Sequence, residues 1–292
     1  MSWSMRKWRQ SVNNMKTVIL LGTLTGIFLF IGGMAGGRQG MLLALVFAGL
    51  MNFVSYWFSD KIVLKAYRAN ELPESEAPRI YAMVRELSQQ AQIPMPVICV
   101  FEQDSPNAFA TGRNPAKAVI ALSRGIIHLM GDAELKGVVA HELTHVINRD
   151  TLLATIAATL AGAIMFLGYQ MRWLGLFSGG GHDDDNRGGA LGMILLAILA
   201  PLAAIIIQMA ISRSREYKAD AGAAHLTHNP EDLASALEKL TAYSKRLPLQ
   251  ATRQTAHLFI VSPLSGKSLL SLFSTHPPIE ERVARLREMR FS

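Results

Sequence analysis

Cysteine is nearly absent from this chain of 292 residues, in which Cys99 is the only one. A single cysteine excludes an internal disulfide, and it excludes a metal site built from several thiolates. Any metal in this protein would therefore be held by nitrogen and oxygen ligands. The absence of disulfides also fits a protein whose folded part lies in a reducing compartment.

Charged side chains are missing from four long stretches, although the chain as a whole carries a formal net charge of +7. Each stretch is long enough to cross a hydrocarbon core of about 30 Å as a helix. The alternative is a buried core helix, but such helices are rarely this long without a single charge. We therefore predict four membrane spans. They comprise residues 17–37, 39–59, 151–171 and 188–212.

A basic stripe interleaved with aromatic residues is also missing, so the positive charge does not indicate nucleic-acid binding. The basic residues flank the apolar stretches instead, where they would contact anionic lipid. By the positive-inside rule, they place both termini and the large segments in the cytoplasm. The first stretch could be read as a secretory signal, but another follows almost immediately, which favours an uncleaved anchor. The bases are Arg6, Lys7, Arg9, Lys16, Lys61, Lys65, Arg68, Arg213, Arg215 and Lys218.

The most informative motif is the complete H-E-x-x-H of residues 141–145. Residues four apart lie on the same helix face, so the rings of His141 and His145 can reach one cation. Zinc suits this pair, because imidazole nitrogen is a preferred ligand and a catalytic zinc site keeps one position open for water. Glu142 is then placed to take a proton from that water as it attacks a peptide carbonyl. The alternative is an amphipathic helix that carries two histidines by chance.

The third zinc ligand is not contained in this motif. A histidine six residues after His145 would give a metzincin site, but Thr151 occupies that position. A glutamate on a later helix is the remaining usual choice, and Glu216, about one turn beyond the fourth apolar stretch, is the best candidate. On the same helix face, Asp220 is placed to accept the distal ring N–H of a zinc histidine. Glu216 could instead pair with neighbouring bases, and its rivals are Glu238, Glu280 and Glu281.

The segments around the motif predict a small α+β unit. Residues 73–91 have the periodicity of a helix, and residues 97–101 and 118–122 are typical of strands in a small hairpin or meander. Asp132 is predicted to cap the helix that carries the metal motif, which runs almost directly into the third span. The tail adds a helix at 230–246 and a final basic helix.

Four motifs follow one another along the chain: NAFATG at 107–112, HELTH at 141–145, SRSREYKAD at 212–220 and THPP at 275–278. With two apolar stretches on either side of the metal motif, this order resembles the HtpX-type family of bacterial integral-membrane zinc endopeptidases. The resemblance covers essentially the whole chain. More distantly, the chain is similar to the eukaryotic CAAX prenyl proteases of the same superfamily.

The resemblance implies one zinc ion per chain on His141, His145 and Glu216, with Glu142 as general base and acid. His276 looks like the late histidine of the family, which implies that it helps position the site or stabilises the oxyanion. A turn residue capped by its own backbone is the alternative for this histidine. The resemblance also implies an edge strand beside the cleft, to which an extended substrate adds its backbone. That strand would contain Asn107, Ala108, Phe109 and Ala110.

The sequence therefore predicts a mainly α membrane protein, with four transmembrane helices and a zincin-like cytoplasmic α+β catalytic domain that contains a small β-sheet. We expect it in the bacterial inner membrane, with both termini and the active site cytoplasmic. The function that the family resemblance implies is cleavage of misfolded or damaged membrane proteins, and of unfolded chains, in quality control under heat or envelope stress. Expected partners are the bilayer, these substrates, and a membrane protease or chaperone, without nucleic acid. The predicted units are 1–59, 60–150, 151–212 with an outer loop at 172–189, and 213–292.

Three other functions compete with this interpretation. An intramembrane protease needs its H-E-x-x-H inside a span, whereas Asp132 and Arg149 flank this one with charge. A processing peptidase for prenylated C-termini needs a lipid chamber, which is generally built from more than four spans. A non-catalytic scaffold or transporter has no need of Glu142, and transporters usually carry ionisable residues within their spans.

Overall fold

The computed structural model describes residues 3–157, 160, 213–246 and 277–290. Most of the predicted third span, all of the fourth, the outer loop at 172–189 and His276 lie outside these residues. The described part is mostly helical and contains one small mixed sheet.

The first two apolar stretches form two helical parts of α1, which are joined at a sharp reversal of the chain. Helix α1 (Trp3–Ala66) is interrupted at Gly36 and at Gly37, whose φ of 55° suits a glycine. The helical parts before and after the reversal lie side by side. Across them, Asn52 Nδ2 donates a hydrogen bond to Thr25 Oγ1 at 2.9 Å. Among the described residues, Gly36–Ala66 is the one helix long and apolar enough to cross a membrane, and Asn14–Phe30 is a shorter apolar helix.

Four strands form a sheet in the order β1-β2-β4-β3. They are β1 (Asn70–Glu71), β2 (Val97–Phe101), β3 (Ala108–Thr111) and β4 (Val119–Ser123). Strands β2 and β4 are parallel, while β1 and β3 pair antiparallel with β2 and β4. The predicted hairpin or meander of β2 and β4 is therefore wrong. Parallel neighbours need a long crossover, and residues 102–118 provide it and supply β3 on the way.

Besides the helical residues 150–157, the described chain contains seven helices that surround the sheet or precede it. After α1 they are α2 (Pro78–Ala91), α3 (Arg124–Leu129), α4 (Asp132–Asn148), α5 (Arg213–Thr227), α6 (Pro230–Arg246) and α7 (Ile279–Glu288), with a 3-10 turn at Pro115–Lys117. A core cluster of the described residues joins the inner faces of α2, β2, β4, α4 and α6. It includes Val84, Leu87, Ile98, Ile120, Val138, Val139 and Leu237.

Helix α4 is the central helix of this arrangement and carries the H-E-x-x-H motif. Gly131, and not Asp132 as predicted, occupies its N-cap, and the Gly131 N–H donates to the Glu134 carboxylate at 2.8 Å. The absence of a side chain at Gly222 lets α5 lie close to α4, since a Cβ there would collide with Thr144. The helix ends at Arg149, whose φ is 59°, so it does not run unbroken into the helical residues 150–157.

Candidate active site

The two histidines of α4 and a glutamate of α5 converge on one point. His141 Nε2 lies 3.2 Å from His145 Nε2. The Glu216 carboxylate lies 3.7 Å from His141 Nε2 and 3.6 Å from His145 Nε2 through its two oxygens. Ligands about 2.0–2.1 Å from a tetrahedral zinc are about 3.3 Å apart, so this trio suits one such ion. The rival Glu238 instead pairs with Arg287 on the surface.

Each of these histidines has an aspartate beside its other ring nitrogen. Asp220 Oδ1 lies 3.0 Å from His141 Nδ1, and Asp150 Oδ2 lies 3.2 Å from His145 Nδ1. A carboxylate at Nδ1 favours the tautomer in which Nε2 presents its lone pair to a metal. Asp220 was a sequence candidate for this position, whereas Asp150 was missed.

A buried arginine from α7 was also missed by sequence reasoning. Arg282 is completely buried and binds Asp220 through both carboxylate oxygens, with Nε at 2.9 Å and Nη2 at 2.7 Å. Its Nη1 lies 3.8 Å from Glu216. Its position in the sequence could have indicated that it is buried, because Arg282 lies on the apolar face of α7 with Val283 and Leu286.

The buried charges of the described chain leave a negative excess at this site. Four carboxylates face two guanidinium groups, so a net of about two negative charges needs compensation, which a divalent cation would supply. The carboxylates are Glu142, Asp150, Glu216 and Asp220, and the guanidinium groups are Arg215 and Arg282.

Two pKa shifts at this site follow from its burial and from its neighbouring charges. Burial raises the pKa of Glu142, against the opposing effect of the two histidines. Burial alone would lower the pKa of His145, but the Asp150 hydrogen bond and the Glu216 charge outweigh it and raise that pKa to about 9.

Strand β3 lies beside this centre at an edge of the sheet. The Ala110 N–H donates to Glu142 Oε2 at 2.9 Å, so the carboxylate lies between the histidines and the strand. On the other side of β3, the Ser123 N–H donates to the Asn107 carbonyl at 2.9 Å. Because main-chain groups alternate along a strand, those of Ala108 and Ala110 point away from β4 towards the site.

The other two sequence candidates on this segment differ in position. The Phe109 side chain packs against Tyr67 and Phe101, with ring centroids 5.0 and 5.6 Å away, and its main chain pairs with β4. Phe109 therefore offers neither its side chain nor its main-chain groups to the site. The main-chain groups of Ala108 and Ala110, on either side of it, point the opposite way. The Asn107 side chain is 1% exposed, and neither its nitrogen nor its oxygen has a hydrogen-bond partner among the described residues.

The fold and the site define a metallopeptidase, with H-E-x-x-H on a central helix, a carboxylate from a second helix and an edge strand alongside. The match to peptidase family M48 covers residues 74–290, and the chain belongs to this family. It is a membrane-bound member, as its relatives among the HtpX proteases and its apolar helix indicate.

Named relatives agree with this assignment, and one solved structure has a similar fold. Protease HtpX homologs of Desulforapulum autotrophicum and Syntrophobacter fumaroxidans are 57% and 56% identical over 276 and 277 residues. The matches span 94% of this chain in both cases, and 89% and 98% of the relatives. The crystal structure of Ste24p from S. mikatae has a similar fold, with a TM-score of 0.55 at 20% identity. That match covers 95% of this chain and 66% of Ste24p.

Proposed function

We propose that this protein is a zinc endopeptidase that cleaves misfolded or damaged membrane proteins, and unfolded chains, at the cytoplasmic face of the bacterial inner membrane. The convergence of His141, His145 and Glu216 beside Glu142 and the edge strand carries the proposal. The relatives named HtpX protease homologs support the same assignment.

Zinc suits the proposed ligand set of two imidazoles and one carboxylate, and the negative excess of the site supports a divalent ion. When bound, zinc supplies Lewis acidity, which acidifies water and polarises a carbonyl. His141, His145 and Glu216 would hold the ion. Asp220 and Asp150 would keep the two rings in the metal-binding tautomer.

Glu142 acts as the general base and acid in this proposal. Its buried carboxylate takes the proton of the attacking water and later delivers it to the leaving amine. The hydrogen bond from the Ala110 N–H orients one carboxylate oxygen, which leaves the other available for the proton. His276 is proposed to stabilise the oxyanion. It lies six positions before Arg282, whose contact with Asp220 brings the start of α7 close to the site.

The edge strand is proposed to bind substrate through its main chain. Ala108 offers both an N–H and a carbonyl towards the site, and Ala110 offers its carbonyl, so an extended peptide can pair with them. Main-chain pairing selects little for sequence. Substrate choice then follows local unfolding, which supports a quality-control function.

The proposed topology has four spans, with both termini and the catalytic domain in the cytoplasm. Residues 1–59 and 151–212 would form the membrane part, with an outer loop at 172–189. Residues 60–150 and 213–292 would form the catalytic domain, which the packing of α4 against α5 and α6 supports. A membrane protease or chaperone is a proposed further partner.

Removing the metal is expected to abolish cleavage of an unfolded casein-like substrate by the detergent-purified protein, and zinc is expected to restore it. Glu216→Gln should lower the zinc content of the purified protein far below one ion per chain, since an amide is a poor zinc ligand. The matched control is Glu238→Gln, a surface glutamate that should leave zinc content and cleavage unchanged. Full zinc retention in Glu216→Gln would exclude Glu216 as a ligand.

Asn107→Ala is expected to lower kcat/KM without lowering the unfolding temperature. A buried amide without a partner costs free energy, so its removal should leave the unfolding temperature unchanged or raise it. If the amide binds substrate, kcat/KM should fall by about tenfold or more, as for a lost hydrogen bond to a buried polar group. Asn70→Ala, on the opposite edge of the sheet, is the control. A large fall in stability together with unchanged kcat/KM would give Asn107 a structural role instead.

A further inference from the structure

We infer that the short helical segment 150–157, here called the junction helix, positions both halves of the active site. Its first residue, Asp150, orients the metal ligand His145, and Thr151 and Thr155 hold the end of the substrate-binding edge strand. This inference rests on the proposed function, because it assigns how the zinc ligand and the substrate strand are held. The junction helix begins the predicted third span.

The left-handed conformation of Arg149 makes the Asp150 contact possible. In a continuous α-helix, a residue five positions after His145 lies about 140° around the axis, too far for its carboxylate to reach the ring. Arg149 has φ 59° and ψ 28°, and its N–H closes α4 by donating to the carbonyls of His145 and Val146. A residue other than glycine rarely adopts this conformation. The chain then turns back, so that Asp150 Oδ2 lies 3.2 Å from His145 Nδ1.

The Asp150 carboxylate is well placed to fix the tautomer of His145. It is buried, so water does not compete strongly for its oxygens. Asp150 therefore belongs to the charge arrangement of the metal site, although it lies on a different helix from each proposed ligand.

The same junction helix contacts the end of β3. Thr155 Oγ1 lies 3.3 Å from Thr111 Oγ1, and both side chains are buried. Thr151 Oγ1 donates a longer bond of 3.4 Å to the Gly112 carbonyl. The following residue, Arg113, stacks its guanidinium 4.3 Å from the ring centroid of Trp57 in α1. The edge strand is thus attached at one end to α1 and to the junction helix.

These contacts give the junction helix two separable effects. A change at Asp150 should act on the metal ligand, while a change at Thr155 should act on the strand that pairs with substrate. Zinc affinity and KM report these effects independently. Packing of the predicted third span would alter both.

The test measures zinc affinity of the metal-free full-length protein in detergent, by competition with a chromophoric chelator, and KM for an unfolded casein-like substrate. Asp150→Ala should weaken zinc binding by about 10–100-fold, as is typical for the partner of a metal-bound histidine. Asp150→Asn keeps an acceptor oxygen without the charge, so its loss should be smaller. Thr155→Val should leave zinc affinity unchanged and raise KM several-fold. Asp132→Asn, an exposed aspartate paired with Arg79, is the control.

Unchanged zinc affinity in both Asp150 variants would overturn the first half of the inference while leaving the proposed function intact. Unchanged KM in Thr155→Val would overturn the second half. Should Asp150→Ala fail to fold, Asp150→Asn decides the first half. Absence of zinc binding by the unaltered protein would overturn the proposed function, and the inference with it.

Discussion

Glu142→Gln is expected to reduce cleavage by about 10²–10⁴-fold, the range attributed to general acid–base catalysis, while the zinc content stays equal to that of the unaltered protein. Glutamine has the shape of glutamate and keeps an oxygen that can accept the Ala110 N–H. It has no basic carboxylate, so it cannot take the proton of the attacking water. The proposed metal ligands His141, His145 and Glu216 are untouched by this change.

The measurement compares the two proteins in detergent on an unfolded casein-like substrate, with zinc quantified in each. Glu134→Gln is the matched control on the same helix, because Glu134 binds the N-cap and Lys239 and does not face the histidines. Activity confined to the unaltered protein and the control, with equal zinc in all three, would establish Glu142 as the base. Full activity of Glu142→Gln would make the assignment wrong. Equal zinc without cleavage by any of them would indicate a narrower substrate range.

The local periodicity of the chain accounts for much of the site. Four-residue spacing on a helix is enough to put His141 and His145 on one face, and the same spacing relates Glu216 to Asp220. Both helices lie next to each other in the structure, with Gly222 allowing the close approach. The spacing of residues along a helix therefore predicts those pairs of site residues that lie one turn apart on the same helix.

The missed residues depend on features that local patterns do not encode. Asp150 reaches His145 only because Arg149 is left-handed, and an arginine gives no signal for that conformation, unlike a glycine. Arg282 comes from 62 positions beyond Asp220, and its partner is fixed by the packing of α7 against α5. An arginine on an apolar helix face signals a buried ion pair without naming the partner.

The prediction of the sheet topology was wrong for a similar reason. Residues 97–101 and 118–122 were correctly read as strands, but their short apolar runs do not distinguish parallel from antiparallel pairing. The order is set by residues 102–118. They form β3 at the outer edge of the sheet, and the chain then returns as β4 between β2 and β3. Because of that route, the main-chain groups of Ala108 and Ala110 face the site, while the Phe109 ring packs against Tyr67.

Arg282→Ala is expected to destabilise the protein by about 3–5 kcal/mol, the usual cost of removing one partner of a buried ion pair. Burial alone would lower the pKa of Arg282, but the Asp220 carboxylate raises it. In turn, Arg282 and His141 hold the pKa of Asp220 below its usual value, although burial opposes this. Without the guanidinium, Asp220 would remain buried as an uncompensated anion near Glu216.

A double variant separates lost charge compensation from lost packing. Arg282→Ala combined with Asp220→Asn should be more stable than Arg282→Ala alone, because the neutral amide needs no cation. The free energy of unfolding would be measured in denaturant on metal-free protein, since bound zinc adds stability of its own. Arg287→Ala, at an exposed position of the same helix, should have little effect, as expected for surface ion pairs.

The cost of Arg282→Ala should also depend on pH in a defined direction. A carboxyl group whose folded pKa is depressed stabilises the fold above its unfolded pKa, and this contribution is lost as pH falls through the folded pKa. In Arg282→Ala the depression at Asp220 is removed, so the difference in stability should be largest near neutral pH and shrink below about pH 4. Equal stability of the single and double variants, with a cost independent of pH, would mean that Arg282 contributes by packing alone. The expected opposite result would mean that Arg282 compensates the charge of Asp220, the carboxylate that lies 3.0 Å from Nδ1 of the proposed zinc ligand His141.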